Sequence, residues 1–116
     1  MEEEIRAHSC TTEELHMPNG AVFASSADFF KVFGDETRMK ILYALSKSEL
    51  CVNHISEALG MSVSAVSHHL RLLKQMRIVR NRRDGKTIYY ELADDHILKM
   101  IDLAFEHINE EQGGQQ

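Results

Sequence analysis

The chain of 116 residues is 43% hydrophobic and 27% charged, which is typical of one globular domain and excludes a disordered segment or a large multidomain enzyme. No apolar run approaches the roughly 20 residues of a membrane-spanning helix, and the acidic start Met1-Glu2-Glu3-Glu4 is unlike a signal peptide. Two cysteines are too few for a disulfide-stapled secreted domain. From these three observations together we expect a cytoplasmic protein with no membrane partner.

The charge is unevenly distributed along the chain. The net charge is −5, yet residues 61–90 hold seven basic residues and one acidic residue, a net +6 in that window. The basic residues are Arg71, Lys74, Arg77, Arg80, Arg82, Arg83 and Lys86. A cationic surface on an otherwise acidic protein indicates a polyanionic partner, whereas an ordinary solvated surface mixes both signs.

The first elements are an arm and two helices. Residues 1–20 lack periodicity and end in Pro18-Asn19-Gly20, so we predict a mobile arm, followed by a domain over residues 21–111 and a disordered tail over residues 112–116. A first helix is predicted from Ala21 to Phe33, and Gly34-Asp35 ends it and caps the second. The apolar positions at helical spacing are Val22, Phe29, Val32 and Phe33, then Met39, Ile41, Leu42 and Leu45.

The middle of the chain predicts a helix-turn-helix. A short helix from Glu49 to Leu59 faces inward through Val52, Ile55 and Leu59, and Gly60 ends it. A further helix starts at Ser62 with an apolar stripe of Val63, Val66, Leu70 and Leu73, while its outer face carries Ser64, His68, Arg71 and Gln75. A short helix, a glycine turn and a second amphipathic helix form this motif. The adjacent His68 and His69 point in different directions, His68 outward and His69 towards the core.

A hairpin and a last helix complete the domain. Strands from Ile78 to Arg83 and from Lys86 to Leu92 flank Asp84-Gly85, a two-residue hairpin signal. A final helix from Asp95 to about Glu111 has one apolar side, formed by Ile97, Ile101, Ala104, Phe105 and Ile108. The predicted fold is mainly α with a small β-hairpin, a winged helix-turn-helix.

Helix-turn-helix turns also occur in domains that bind no DNA, so the motif alone is a moderate signal. The basic hairpin favours DNA binding, because its cationic residues lie where phosphates would be. The recognition helix would supply sequence choice and the hairpin phosphate contacts. The candidate DNA-binding residues are Ser62, Ser64, Ala65, Ser67, His68, Arg71, Arg82, Arg83 and Lys86.

Three segments resemble one known family. Gly34-Asp35-Glu36-Thr37-Arg38, Ser48-Glu49-Leu50-Cys51-Val52 and Ser64-Ala65-Val66-Ser67-His68-His69-Leu70 are similar to the ArsR/SmtB metal-sensing repressors, in the right order and spacing over residues 21–111. The resemblance implies a homodimer, formed through the N- and C-terminal helices, that represses a promoter by binding operator DNA and is released by metal ions.

The resemblance also implies a metal site. Asp94, His96, His107 and Glu110 match the spacing of the zinc site on the last helix of the family's zinc sensors. His96 and His107 are about 16 Å apart along one helix, too far for one zinc ion with ligand bonds of about 2.0–2.2 Å. Two antiparallel copies solve this, since Asp94 and His96 of one chain then meet His107 and Glu110 of the other. Two imidazoles and two carboxylates suit Zn(II), with Co(II) or Cd(II) as alternatives.

A second metal site is left open by the sequence. The family's Cys-Val-x-Asp stretch reads Cys51-Val52-Asn53-His54 here, and it joins ligands from the partner's N-terminal arm in the family. The arm offers His8, Cys10, Glu14 and His16. On a helix, Cys51 and His54 would share a face. The alternative is a buried structural Cys51 with a solvated arm.

Other functions fit the sequence less well. A winged-helix repressor that senses thiol oxidation through Cys10 and Cys51 is the main alternative. A zinc hydrolase is disfavoured because four protein ligands close the metal site and no nucleophile or oxyanion loop is visible, so we expect no enzyme. A metal-buffering protein would leave the basic hairpin without a purpose.

Overall fold

A computed structural model describes residues 15–111, which form five helices and three strands. In chain order these are α1 (Gly20–Phe33), α2 (Glu36–Lys47), β1 (Leu50–Cys51), α3 (Val52–Leu59), α4 (Val63–Gln75), β2 (Val79–Asp84), β3 (Thr87–Leu92) and α5 (Asp95–Glu111). The predicted arm up to residue 14 and the predicted tail from residue 112 lie outside the described residues. None of the described helices is long and apolar enough to cross a membrane.

The core joins four helices and the hairpin. Its buried side chains are Ile41, Leu42, Leu45, Ile55, Val66, Leu70, Leu73, Ile78, Val79, Ile97 and Ile101. The stripe predicted for α4 is confirmed at Val66, Leu70 and Leu73, which are fully buried. It is wrong at Val63, which is 46% exposed, because the buried stripe begins only one turn after this first residue of the helix.

Local capping signals end and start the helices as predicted. Gly34 caps the end of α1, and the Asp35 side chain accepts a hydrogen bond of 2.9 Å from the backbone N–H of Arg38 at the start of α2. Gly60 ends α3 with a φ of 67°, a left-handed conformation that glycine adopts without strain. Ser62 then caps α4 by accepting from the Ala65 N–H at 3.1 Å.

Replacing Asp35 by alanine is expected to lower the free energy of unfolding by about 0.5–2 kcal/mol, because the cap of α2 is lost. The hydrogen bond from the Arg38 N–H holds the pKa of Asp35 below its usual value of 3.8, so the carboxylate contributes fully above that pH and less as pH falls below it. Urea unfolding at pH 7 and at low pH, at one protein concentration, measures both effects.

Asp35→Asn is the matched control, since an amide oxygen still caps the helix but has no proton to gain. This variant should retain most of the stability at pH 7 and lose the pH-dependent part. An Asp35→Ala variant as stable as the wild type at pH 7 would contradict the capping role.

The prediction that the third helix begins at Glu49 is wrong. Leu50 and Cys51 form the short strand β1, which pairs antiparallel with Tyr90 and Tyr89 of β3 in a sheet of order β1-β3-β2. The helix begins only at Val52. Pairing with a strand almost 40 residues further along satisfies these backbone groups, and helical periodicity within the segment cannot reveal such a contact.

The hairpin turn lies one residue later than predicted. Asp84 still pairs with Thr87, so the turn consists of Gly85 and Lys86, with Gly85 at a φ of 67°. At the base of the hairpin, buried Val79 pairs with Leu92. Burial of one face fixes the register there, and the turn residues follow from it.

Two apolar helix faces remain exposed in the single chain. Helix α1 has no buried residue, and Val22, Phe23 and Phe30 are exposed. The apolar side predicted for α5 is buried at Ile97 and Ile101 but exposed further along, at Phe105 and Ile108. Exposed apolar surface of this kind on two helices is typical of an interaction face.

Candidate functional site

The outer face of α4 is exposed and polar. Ser64, His68 and Arg71 follow one another at spacings of four and three residues, opposite the buried stripe. Of the other predicted DNA-contact residues in this region, Ala65 and Ser67 are half-buried. The hydroxyl of Ser62 accepts the capping hydrogen bond from the Ala65 N–H at the start of α4. The helix thus presents a row of hydrogen-bonding groups on a rigid support.

His69 is held by a guanidinium rather than exposed. The Nη1 atom of Arg38 lies 3.3 Å from the Nδ1 atom of His69, and because arginine only donates, the imidazole accepts at Nδ1. The same side chain donates from Nε to the Val32 carbonyl at 2.7 Å. Arg38 therefore joins α1, α2 and the recognition helix α4. The sequence placed Arg38 in a motif, but it gave no signal for this partner 31 residues away.

The cationic residues of the window divide into two groups. Arg80 pairs with Glu91, with 2.8 Å between Nε and Oε2, and Arg82 pairs with Glu49. The others form no ion pair with any residue in the described range 15–111: Arg71, Lys74, Arg77, Arg83 and Lys86. These five cations, without an ion pair among the described residues, lie on α4, on the segment after it and on the hairpin, and they form a surface to which phosphates can bind.

The backbone of Arg77 has a left-handed conformation that residues other than glycine rarely adopt. Its φ is 60°, and its N–H donates to the Lys74 carbonyl at 3.0 Å directly after the end of α4. Glycine is the usual residue at such a helix end, and arginine costs energy there. The sequence analysis counted Arg77 in the basic window but not among the DNA-contact residues.

Two of the predicted metal ligands meet at the start of α5. The Nδ1 atom of His96 lies 3.4 Å from Oδ1 of Asp94, and the same oxygen accepts from the Ile97 N–H at 3.2 Å. These contacts hold the pKa of the Asp94 carboxyl below its usual value, first through the Ile97 N–H and then through His96. Asp94 is therefore ionised, as a metal ligand must be, and the His96 side chain is 90% exposed.

The other two predicted ligands lie at the far end of α5. His107 and Glu110 are three residues apart and line one shallow depression with Leu103 and Glu106. A helix rises about 1.5 Å per residue, which separates His96 from His107 by about 16 Å. Within the described part of a single chain, no three histidine, cysteine, aspartate or glutamate side chains come together as a metal site.

The residues nevertheless have the chemistry of a zinc centre. Each end of α5 offers one imidazole and one carboxylate, and all four side chains are exposed. Nitrogen and oxygen donors of these types bind Zn(II) at tetrahedral sites. The contact between Asp94 and His96 places one carboxylate and one imidazole side by side, as two ligands of one ion must be. A four-ligand site from these residues needs a second copy of the chain.

The second candidate site is a pair rather than a cluster. The Cys51 sulfur lies 3.5 Å from Nδ1 of His54. Cys51 belongs to β1 and is the residue before the first residue of α3. The prediction that the two residues share a helix face is therefore wrong, although their side chains are in contact. Cys51 is half-buried and His54 exposed. His16 is exposed and joins no cluster with this pair within the described chain. His8, Cys10 and Glu14 lie outside the described residues.

The sequence matches known proteins over most of its length. Residues 35–81 match the family model described as "Bacterial regulatory protein, arsR family". A transcriptional repressor SmtB homolog of Synechocystis sp. is 40% identical over 84 residues, which are 72% of this chain and 64% of that protein. A cadmium resistance transcriptional regulatory protein CadC homolog of Staphylococcus aureus is 44% identical over 85 residues, covering 72% and 70%. The chain thus spans just under two thirds of the first relative.

Solved structures share the fold over most of the chain. The crystal structure of the AntR antimony-specific transcriptional repressor has a TM-score of 0.75 at 35% identity, covering 89% of this chain and 92% of that one. A homodimeric winged helix-turn-helix DNA-binding domain from Mycobacterium bovis, a possible ArsR-family regulator, has a TM-score of 0.73 at 28% identity, covering 84% and 94%. The prediction of a winged helix-turn-helix is confirmed.

Proposed function

Because this chain belongs to the ArsR/SmtB family of transcriptional repressors, we propose that it is a Zn(II)-responsive repressor acting in the cytoplasm. Its metal-free homodimer binds operator DNA, and metal binding releases it. The fold and the relatives are those of DNA-binding regulators and not of enzymes. The two recognition helices of a dimer enter successive major grooves about 34 Å apart on a pseudo-palindromic operator.

The separation of the ligand pairs on α5 carries this proposal. Asp94 and His96 are already in contact at one end, while His107 and Glu110 share a depression three turns away. An antiparallel second copy of α5 brings opposite ends together and completes two equivalent sites per dimer. Leu103, which is 64% exposed, lines the depression beside His107 and Glu110 and supplies apolar surface for such a pairing.

The donor set favours zinc over softer metals. The relatives include regulators named for cadmium and for antimony, so family membership alone leaves the metal open. Helix α5 carries no cysteine, and thiolates are the ligands that select soft ions. Two histidines and two carboxylates bind Zn(II), with Co(II) as a substitute and Cd(II) as a weaker alternative.

Metal binding releases DNA only if the metal binds the free dimer more tightly than the DNA-bound dimer. By linkage, operator DNA then weakens metal binding by the same factor. Typical couplings of about 1–3 kcal/mol correspond to about 5–150-fold. The α5 sites would favour a dimer geometry in which the two recognition helices no longer match the operator spacing.

The test is fluorescence anisotropy of the purified dimer on its own promoter DNA, with and without Zn(II), for the wild type and His96→Ala. Tight metal-free binding that zinc weakens in the wild type only is the expected result. His96 is a better target than Asp94, because Asp94 also caps α5 through the Ile97 N–H. Tight binding indifferent to zinc would contradict the sensor mechanism and direct attention to oxidation of Cys10 and Cys51.

The second candidate site makes a separate prediction about metal stoichiometry. If Cys51, His54 and the arm together bind a metal, Cys10→Ser should lower the number of zinc or cadmium ions bound per chain, and Cys51→Ser should lower it equally. Equilibrium dialysis with metal analysis measures this number. Unchanged stoichiometry in both variants would show that Cys51 is a structural residue.

A further inference from the structure

The guanidinium of Arg82 has three neighbours on the wing: the Glu49 carboxylate, the Tyr89 ring and the more distant Asp84 carboxylate, whose Oδ2 lies 4.0 Å from Nη1. Its Nε donates to Oε2 of Glu49 at 3.0 Å, and its Nη2 donates to the other carboxylate oxygen, so the pair is bidentate. Its centre also lies 4.8 Å from the centroid of the Tyr89 ring. Bidentate arginine–carboxylate pairs are among the stronger side-chain contacts, and stacking on a ring adds to this.

The strand register explains why these residues meet. Side chains alternate between the two faces of a sheet, and Arg82 is directly opposite Tyr89. Glu49 immediately precedes β1, whose Cys51 is the other partner of Tyr89. A salt bridge therefore connects the wing to the segment that leads into the helix-turn-helix. Glu49 also holds the pKa of the Arg82 side chain above its usual value, and Arg82 holds that of Glu49 below its own.

A DNA phosphate would compete for the same guanidinium. Phosphate and carboxylate both accept two parallel hydrogen bonds from arginine. Two further wing cations, Arg83 and Lys86, form no ion pair with a described residue and are available to phosphates. Arg82 differs from them in having a carboxylate acceptor built into the protein.

We propose that Glu49 is an intramolecular competitor of the DNA backbone, which occupies Arg82 and thereby limits the affinity of the wing for DNA. The proposal rests on the proposed DNA-binding role of the wing. Glu49 itself contacts no base or phosphate. It acts on DNA through Arg82 and is in this sense a positioning residue.

Glu49→Gln is expected to tighten operator binding, because a neutral amide releases Arg82 to a phosphate. Each phosphate neutralised on duplex DNA steepens the slope of log affinity against log salt by about 0.9. One new contact therefore makes the gain about three-fold larger at 50 mM than at 200 mM salt. Anisotropy titrations of metal-free protein over this range measure both the gain and the slope.

Glu91→Gln is the matched control, since it removes the same charge from the same sheet face but releases Arg80 nearer the base of the hairpin. It should change the slope little. In the Arg82→Gln background, Glu49→Gln should have no more effect than Glu91→Gln. Circular dichroism and thermal unfolding confirm that each variant is folded, and both carboxylates are at the surface.

The outcomes separate this inference from the proposed function. A wild type with no salt-dependent operator affinity would refute DNA binding itself. A wild type that binds, with equal gains for Glu49→Gln and Glu91→Gln, would show a general charge effect and overturn the competitor role. Weaker binding by Glu49→Gln would show that Glu49 orients Arg82 for DNA, which also overturns it.

Discussion

A mixture of His96→Ala and His107→Ala dimers is expected to recover the zinc response that each variant alone has lost. Each homodimer lacks one ligand in both of its sites. In a mixed dimer, the intact His96 of one chain faces the intact His107 of the other, so one complete site is restored. Both histidines lie on the exposed surface of α5, and neither belongs to the buried core.

The size of the recovery follows from subunit statistics. Random exchange makes about half of all dimers mixed, each with one of its two sites intact, so zinc binding per chain returns to about one quarter of the wild-type value. Titration with zinc or with the spectroscopically visible Co(II), after the subunits have been exchanged, measures this fraction. Metal addition should also lower the operator affinity of the mixture, by less than the full coupling of the wild type, for which about 5–150-fold is typical.

A mixture of His96→Ala and Asp94→Asn dimers is the matched control, because the amide oxygen of asparagine still accepts the capping hydrogen bond from the Ile97 N–H. These two changes affect the same end of α5, so every site in the mixed dimer remains broken and no response should return. Glu106→Gln is a second control, because Glu106 lines the depression beside His107 and Glu110 but is not in the proposed ligand set. Recovery in the control mixture, or none in the test mixture, would rule out sites shared between chains.

Leu70→Ala is expected to have the largest effect on stability, a loss of about 2–5 kcal/mol. Leu70 lies on the inner face of α4, is fully buried and belongs to the core cluster with Val66 and Leu73. Truncation removes apolar contacts and leaves a cavity that the surrounding side chains fill only in part. Such a loss is a large share of the 5–15 kcal/mol typical of a folded domain.

Urea unfolding at a fixed protomer concentration measures the loss, because dimerisation makes apparent stability depend on concentration. Val63→Ala is the matched control on the same helix and should change stability little, since Val63 is 46% exposed. Leu70→Met keeps most of the volume and should cost less than about 1.5 kcal/mol, which provides a folded variant if Leu70→Ala unfolds. Equal effects at positions 63 and 70 would contradict the described packing of α4.

The sequence by itself determined the order of the helices and of the hairpin, and most of the helix ends. Helix caps such as Asp35 and Ser62, the helix end at Gly60 and the bounds of α5 depend on contacts within about five residues, which local patterns record. The family motifs added the winged fold, which the comparisons confirm, and a DNA-binding role, which stays a proposal. The four metal ligands on α5 stay a prediction from spacing.

Only the tertiary structure decided which distant residues meet. The pairing of Leu50 with Tyr90, of Glu49 with Arg82 and of Arg38 with His69 joins positions more than 30 residues apart. No local period encodes these contacts, because they depend on how the sheet and helices pack. Packing also set the hairpin register, through buried Val79. It left Val63 exposed at the start of α4, since burial is a property of the assembled core and not of one helix face.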